Sequence, residues 1–271
     1  MQFTRTIAQI VASETTPAMK GIVRHLWWQL RRAVWCFPVE LPISESILVA
    51  DRPSGVAALV NCMGMYDFNN MTLIRYLLRA THGVFFDVGA NIGAYSLIAS
   101  EVRDAIVVSI EPHPESYRLL SGNVFRNQRN NITCVNAAAS DHIGSLQISD
   151  GGELSTNRVL GHSCRVKSVT VRCTTLDQLC NDLRLCPAVI KIDVEGYEDH
   201  VLAGHSGHEN TLAIVIENGE KPSIQMKLHA AGYRGPLYFH ATNCTFSEQK
   251  QRRPEDPVYC RPSVLEHQWS S

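Results

Sequence analysis

A strand-like run followed by two spaced glycines constrains this chain more than any other feature. Residues 84–88 read Val-Phe-Phe-Asp-Val, residues 89–93 read Gly-Ala-Asn-Ile-Gly, and a helix-forming segment follows. Glycine adopts positive φ angles and lets a ligand approach main-chain amides that a side chain would screen. The segment therefore predicts a β-strand, a ligand-binding turn and a helix, which is the opening unit of an α/β fold.

Apolar runs alternate with helical patterns along the rest of the chain. We predict strands at 84–88, 105–110, 132–136, 188–194 and 212–217, separated by helices at 95–102, 114–127, 176–183 and 198–203. This order is typical of a mainly parallel sheet with helices on both faces. Runs at 237–240 and 258–260 predict final antiparallel strands, which makes a seven-stranded Rossmann-like sheet. Two further β-like runs, 146–149 and 166–173, predict a β-hairpin insertion.

The first eighty residues differ in character, so we divide the chain into an N-terminal helical segment, 1–80, and a Rossmann-like domain, 81–271. Residues 19–37 predict a basic amphipathic helix, and a second helix is predicted at 70–80. The first helix contains Trp27, Trp28, Trp35, Lys20, Arg24, Arg31 and Arg32. One interpretation packs it on the domain as a lid, or across a homodimer. The other lays it on a membrane surface.

Composition excludes several classes of protein. The formal net charge is −1. The chain therefore lacks the excess of basic residues that would indicate a nucleic-acid partner. The nine cysteines are odd in number and form no Cys-x-x-Cys pair, which favours reduced thiols. Neither a secretory leader nor a long apolar span stands out. We therefore expect a cytoplasmic protein, or one peripheral to the inner face of the membrane if the first helix contacts lipid.

A second acidic residue helps to identify the ligand that the glycine turn binds. Glu111 follows the second predicted strand, where doubly wound folds place the acid that binds ribose hydroxyls. The turn is not the dinucleotide Gly-x-Gly-x-x-Gly pattern, and Asp87 would repel a diphosphate. It suits the cationic amino-acid tail of S-adenosylmethionine instead, directly or through water. An NAD-dependent oxidoreductase, which would share the sheet and Glu111, is the alternative, as is a noncatalytic cofactor-binding protein.

Four blocks, at 86–93, 111–114, 174–177 and 190–198, together resemble the FkbM family of methyltransferases over residues 65 to 218. The most distinctive block reads Ile-Lys-Ile-Asp-Val-Glu-Gly-Tyr-Glu. The resemblance implies a class I methyltransferase fold, S-adenosylmethionine as methyl donor, and O-methylation of a hydroxyl on a sugar, glycolipid or secondary metabolite. In similar folds an acid lies near the adenine amino group. Asp141 is the candidate here, with a turn or helix cap as its alternative role.

The predicted cofactor contacts combine the glycine turn with acids that follow the strands. They are Asp87, Gly89, Ala90, Asn91, Gly93, Glu111, Pro112, Asp141 and Asp193.

The carboxyl end of the fourth strand carries the predicted catalytic residues. A hydroxyl acceptor loses its proton during methyl transfer, and Asp193 and Glu195 are placed to accept it. Glu195 could instead cap the helix after Gly196. Lys191 lies in an apolar strand, so it needs a partner such as Asp193, Asp87 or Glu217, or it contacts the acceptor.

Two further predictions concern a metal site and the binding of the methyl acceptor. Asp193, Glu217 and Asn218 resemble the oxygen ligands of a magnesium-dependent O-methyltransferase, although Glu217 could equally pair with Lys191. The loop at 151–165, with Asn157 and Arg158, could cover a small-molecule or glycan acceptor. A nucleic-acid methyltransferase would carry an Asn/Asp-Pro-Pro-aromatic motif after the fourth strand, where this chain reads Asp-Val-Glu-Gly.

Overall fold

The computed structural model describes residues 6–7, 10–11, 13, 16–34, 36–150, 159, 167–250 and 255–266. Trp35, Asn157 and Arg158 lie outside the described residues, as does most of the loop at 151–165. Its helices are α1 (Ala18–Val34), α2 (Gly55–Met63), α3 (Phe68–Thr81), α4 (Ala94–Ser100), α5 (Pro114–Arg126), α6 (Leu176–Leu183), α7 (Glu198–Ala203), α8 (Pro222–Ala230) and α9 (Pro262–Glu266).

The strands run from an N-terminal hairpin to the end of the central sheet. They are β1 (Val39–Ile43), β2 (Ser46–Ala50), β3 (Val84–Val88), β4 (Ile106–Ile110), β5 (Ile132–Val135), β6 (Ala138–Ala139), β7 (Gly144–Ser149), β8 (Ser168–Thr174), β9 (Pro187–Ile192), β10 (Ala213–Ile216), β11 (Arg234–His240), β12 (Thr245–Ser247) and β13 (Val258–Cys260).

The central sheet has the strand order β12-β11-β13-β10-β9-β3-β4-β5. Its pairs from β10 to β5 are parallel, and β13 inserts antiparallel between β10 and β11. The order reverses at β3, so the carboxyl ends of β3, β4 and β9 surround a crevice where doubly wound folds bind ligands. The predicted Rossmann-like fold is confirmed. The sheet has eight strands rather than the seven predicted, because β12 extends its edge.

Side chains alternate between the two faces of this sheet because each strand is extended. Phe85, Val107 and Val189 point into one apolar core, and Phe86, Val108 and Ile190 point into the other. The second core is completed by side chains of α6, α7 and α8. This alternation decides which side of the sheet each functional side chain of β3 and β9 occupies.

The N-terminal segment contains more than the predicted helices. β1 and β2 form an antiparallel hairpin whose buried residues alternate along each strand. Glu101 anchors its turn, since the carboxylate accepts hydrogen bonds from the Glu45 amide at 3.0 Å and the Ser46 hydroxyl at 2.9 Å. Leu41 and Leu48 of the hairpin share an apolar core with Phe85 of β3. The purely helical description of residues 1–80 was therefore wrong.

The predicted hairpin insertion is present as β7 and β8, and β6 pairs with β8 to make a three-stranded sheet. α2 and α8 were not predicted. Within the described residues, no helix is both long enough and apolar enough to cross a membrane.

Candidate active site

The glycine turn between β3 and α4 fits its surroundings with no room for a side chain. Gly89 has a φ of 77°, and a Cβ atom there would lie 1.8 Å from the carbonyl oxygen of Asp193. This close approach accompanies the hydrogen bond from the Asp193 amide to the Val88 carbonyl, at 3.0 Å. Gly89 therefore lets the ends of β3 and β9 meet.

Glu111 accepts main-chain hydrogen bonds from this turn and from the segment after β4. One carboxylate oxygen accepts the Asn91 amide at 2.8 Å and the other accepts the His113 amide at 2.9 Å. Burial raises the pKa of Glu111 to about 7, against the lowering effect of the two amides. A carboxylate oxygen has more than one lone pair, so Glu111 can still accept hydrogen bonds from a ligand.

An open cleft lies next to these residues. We call it the central cleft. Its lining combines apolar and polar side chains: Val56, Val88, Gly89, Asn91, Ile110, Glu111, Pro112, His113, Ala138, Ala139, Ile148, Val159, Asp193, Val194, Glu195 and Tyr197. Of the predicted cofactor contacts, the lining contains Gly89, Asn91, Glu111, Pro112 and Asp193. The structure does not bring Asp87, Ala90, Gly93 or Asp141 to it.

Asp87 faces away from the central cleft because it alternates with Val88 along β3. Its carboxylate is fully buried and accepts a hydrogen bond from the Ser96 hydroxyl at 2.6 Å. The other carboxylate oxygen lies 3.8 Å from the Lys191 ammonium. Burial raises the pKa of Asp87, while Lys191 and Ser96 lower it. In this structure Asp87 is the counter-ion of Lys191, and its contact with the cofactor tail, directly or through water, stays a prediction.

Lys191 joins the two carboxylates that flank it. Its ammonium donates to Asp193 at 3.1 Å, faces Asp87, and lies 4.9 Å from the ring centre of Tyr95. Burial opposes the charge, but Asp193 and Asp87 together raise the pKa of Lys191 above its usual value. Two of the three partners predicted for Lys191 are therefore its partners in the structure.

Further polar residues extend this network around Lys191. The hydroxyl of Tyr95 donates to Asp67, and the Asn70 amide bonds both the Asp67 carboxylate and the Asp256 carbonyl, at 3.2 and 3.1 Å. Burial, and then the charges of Asp67 and Asp193, raise the pKa of Asp256 to about 7. We call Asp67, Tyr95, Lys191, Asp193 and Asp256 the polar cluster.

Sequence reasoning missed Asp67, Tyr95 and Asp256. Asp67 precedes α3, Tyr95 lies in α4, and Asp256 stands between Glu255 and Pro257. None belongs to a spaced motif, so no sequence signal connects them.

Three carboxylates gather where β9 and β10 end. Oxygens of Asp193, Glu195 and Glu217 lie within 4.8 Å of one another. Burial, then Asp193 and Glu195, raise the pKa of Glu217 to about 8. This set includes two of the predicted metal ligands, but Asn218 instead lies 3.5 Å from the Glu198 carboxylate.

The turn after β9 differs from the predicted extended strand. β9 ends at Ile192, and Glu195 has a φ of 53°. Tyr197 is the N-cap residue of α7, so Glu195 does not cap that helix. The buried carboxylate of Glu198 accepts the Gly196 amide at 2.7 Å and the Lys221 ammonium at 3.0 Å. Glu198 thus fixes the turn that leaves Glu195 at the cleft.

Asp141 lies on the surface beside two imidazoles. Its carboxylate bonds His142 at 2.7 Å and His200 at 2.9 Å, and these bonds hold its pKa well below the usual value. Asp141 lies in the bend at 141–143 between β6 and β7, so its predicted place in a turn agrees with the structure. It does not line the central cleft, and its contact with the adenine stays a prediction. In the loop at 151–165, Val159 is described; it pairs with Ile148 and lines the central cleft.

The strand order, the glycine turn and the acid after β4 define the Rossmann-like fold of class I methyltransferases. The chain belongs to the FkbM methyltransferase family, since the model of the methyltransferase FkbM domain matches residues 87–235, more than half of its length. The predicted family is confirmed, and the match includes the glycine turn, Glu111 and the acids after β9 and β10.

A curated relative is the hexuronic acid methyltransferase AglP of Haloferax volcanii, which is 30% identical over 164 residues. The aligned region covers 58% of this chain and 66% of AglP, just under two thirds of that protein.

Two solved structures are also similar. The precorrin-6y C5,15-methyltransferase of Geobacter metallireducens GS-15 has 15% identity and a TM-score of 0.41, over 70% of this chain and 85% of that one. An rRNA methylase of Streptococcus thermophilus has 9% identity and a TM-score of 0.42, over 70% and 94%. The fold assignment rests on the strand order and the family match.

Proposed function

We propose that this protein transfers the methyl group of S-adenosylmethionine to a hydroxyl of a sugar, glycolipid or related secondary metabolite. The observation that carries the proposal is the position of Asp193. Asp193 lines the central cleft, and its carboxylate belongs to the polar cluster, so this one residue connects the cleft to the polar cluster.

The residues of the central cleft fit an adenosyl cofactor. Glu111, held by two main-chain amides, can accept hydrogen bonds from ribose hydroxyls. Ile110, Ala139 and Ile148 provide apolar surface for a flat base. Gly89 also lines the cleft, and its close approach to the Asp193 carbonyl sets the shape of the turn there. When bound, S-adenosylmethionine supplies a methyl group on a cationic sulfur with a neutral leaving group.

Asp193 is the proposed general base. The acceptor oxygen would form a bond to the methyl carbon as the bond between that carbon and sulfur breaks, and the proton of the acceptor hydroxyl would pass to the Asp193 carboxylate. Lys191 holds one oxygen of that carboxylate at 3.1 Å and is in turn held by Asp87. The buried ammonium of Lys191 therefore positions the base, which suits a reaction that depends mainly on orientation.

The polar cluster favours a neutral acceptor. Asp67 and Asp256 add carboxyl groups near Asp193, and Lys191 is already paired with two acids. A further carboxylate would be repelled by like charges, whereas hydroxyl groups can donate to these oxygens. AglP is named for hexuronic acid, so uronic acids belong in the acceptor panel, but we expect neutral sugars to be preferred.

Calorimetric titration tests the cofactor, with S-adenosylhomocysteine compared against NAD. We expect micromolar binding of S-adenosylhomocysteine and none of NAD. Transfer of labelled methyl groups to paired neutral and uronic glycosides then tests the acceptor. Preference for NAD would overturn the cofactor assignment, and methylation of uronates alone would overturn the neutral acceptor.

A further inference from the structure

Helix α1 is docked on the protein by one face. Its buried residues are Gly21, His25 and Trp28. Trp28 packs edge-on against Phe37, with ring centres 5.5 Å apart, and a Cβ atom on Gly21 would lie 2.4 Å from Ile10. The Asn61 side chain of α2 also donates to the Arg24 carbonyl at 3.0 Å. These contacts dock α1 on the domain through this face.

The opposite face is apolar and exposed. It consists of Met19, Val23, Leu26, Trp27, Leu30 and Val34. The spacing of three, four and seven residues places all six along one stripe of the helix. The neighbouring tryptophans show the contrast, because Trp27 is 61% exposed and Trp28 is 1% exposed. Packing on the domain therefore does not explain the stripe.

Cations border this stripe without acidic partners. Lys20, Arg24 and Arg31 lie along one flank at about 100° per residue. The sequence contains no Asp or Glu from residue 15 to residue 39. In the described part of the chain these three cations form no ion pair. The helix is thus strongly basic in a chain whose formal net charge is −1.

We propose that the exposed face of α1 binds the surface of an anionic lipid bilayer. The apolar stripe would enter the boundary between headgroups and acyl chains, and the flanking cations would meet lipid phosphates. Tryptophan favours this boundary because its ring is amphipathic. A second copy of this chain fits less well, because pairing like faces brings two sets of unpaired cations together and supplies no carboxylate from α1.

Sedimentation with vesicles tests the proposal directly. We expect the full-length protein to bind phosphatidylcholine vesicles that contain phosphatidylglycerol, to bind pure phosphatidylcholine weakly, and to dissociate as salt rises. The triple variant Lys20→Gln, Arg24→Gln, Arg31→Gln should lose roughly 100-fold in affinity for the anionic vesicles. The double variant Trp27→Ala, Leu30→Ala should lose roughly 10-fold or more.

A matched control removes exposed apolar groups elsewhere. Phe125 of α5 and Met226 of α8 are 85% and 69% exposed, so Phe125→Ala, Met226→Ala should bind vesicles as the wild type does. Thermal melting verifies that every variant is folded.

Two results would overturn the proposal. One is that the wild type does not bind anionic vesicles, or that both α1 variants bind them as strongly as the wild type does. The other is a wild-type dimer that Trp27→Ala, Leu30→Ala converts to monomer while vesicles bind neither form. That result would assign the face to a second copy.

Discussion

The two sides of the central cleft are built by different means. On the Glu111 side, main-chain amides and Gly89 set the geometry, and each carboxylate oxygen of Glu111 accepts one main-chain amide. On the Asp193 side, side chains from distant segments bring several charges together, and Asp256 has a pKa raised to about 7. Under the proposed function, we expect the first side to bind one fixed ligand, and the second side to bind the acceptor and take up its proton.

The largest expected effect belongs to Gly89→Ala. The new Cβ atom would clash with the Asp193 carbonyl at a φ of 77°, so the ends of β3 and β9 would separate. We expect a loss of roughly 3 kcal/mol in the free energy of unfolding, and no measurable binding of S-adenosylhomocysteine. Gly122→Ala in α5 is the control, since nothing lies within 4 Å of its added Cβ. Calorimetry that finds normal binding in Gly89→Ala would contradict the close-packed turn.

Asp193→Asn tests the division between the two sides. We expect kcat to fall by about 10²- to 10⁴-fold because the base is lost. Affinity for S-adenosylhomocysteine should stay within a few fold, since Glu111 and the glycine turn are intact. Glu195→Gln, an exposed neighbour, should cost less activity. If Asp193→Asn loses activity and binding in equal measure, the proposed separation of roles fails.

Glu111→Ala tests the opposite side. We expect the Kd for S-adenosylhomocysteine to rise by roughly 10- to 100-fold, because hydrogen bonds to a charged group are lost. We expect ribose hydroxyls to donate to the ionised carboxylate of Glu111, whose pKa burial raises to about 7. Wild-type affinity should therefore fall as the pH drops from about 8 to about 6, where Glu111 takes up its proton. Titrations at several pH values should show this dependence in the wild type and not in Glu111→Ala.

Asp256→Asn tests the polar cluster on the acceptor side. We expect the acceptor KM to rise by roughly 10-fold through loss of a hydrogen bond to the acceptor. Affinity for S-adenosylhomocysteine should be unchanged, because Asp256 does not line the central cleft. Asp104→Asn, on an exposed turn, is the matched control and should leave both constants unaltered. Weaker binding of S-adenosylhomocysteine to Asp256→Asn would place Asp256 on the cofactor side.

The smallest effect concerns Glu217 and magnesium. The pKa of Glu217 is about 8 in the folded protein and 4.5 ordinarily, so between these pH values the folded state holds a proton that the unfolded state has released. The free energy of unfolding therefore falls as the pH rises across this range. Over this pH range, the Tm of Glu217→Gln should therefore fall by a few degrees less than the Tm of the wild type. If Asp193, Glu195 and Glu217 bind Mg²⁺, added magnesium should raise the wild-type Tm at about pH 8 and not that of Glu217→Gln. No shift in the wild type would contradict the predicted metal site.

Local sequence patterns predicted the parts of the molecule that contiguous residues build. α6 and α7 begin and end where the 3.6-residue periodicity placed them, and β3 coincides with its predicted range. Gly89 and Glu111 were also predicted from the sequence, because a turn and the acid after the next strand are fixed by backbone geometry. The hairpin β1–β2 was missed although its burial alternates along both strands.

Tertiary structure decided how the acids are used. Alternation along β3 turns Asp87 away from the central cleft and toward Lys191, and Asp141 is drawn to two histidines on the surface. Asp67 and Asp256 are far apart in sequence. The side-chain amide of Asn70 links them, because it donates to the Asp67 carboxylate and to the main-chain carbonyl of Asp256. The sequence of α1 likewise determined an amphipathic basic helix, but only its docking through Trp28 decided that the apolar stripe faces outward. Periodicity and turn chemistry act over a few residues, whereas the partner of a charge depends on which distant segments the fold places beside it.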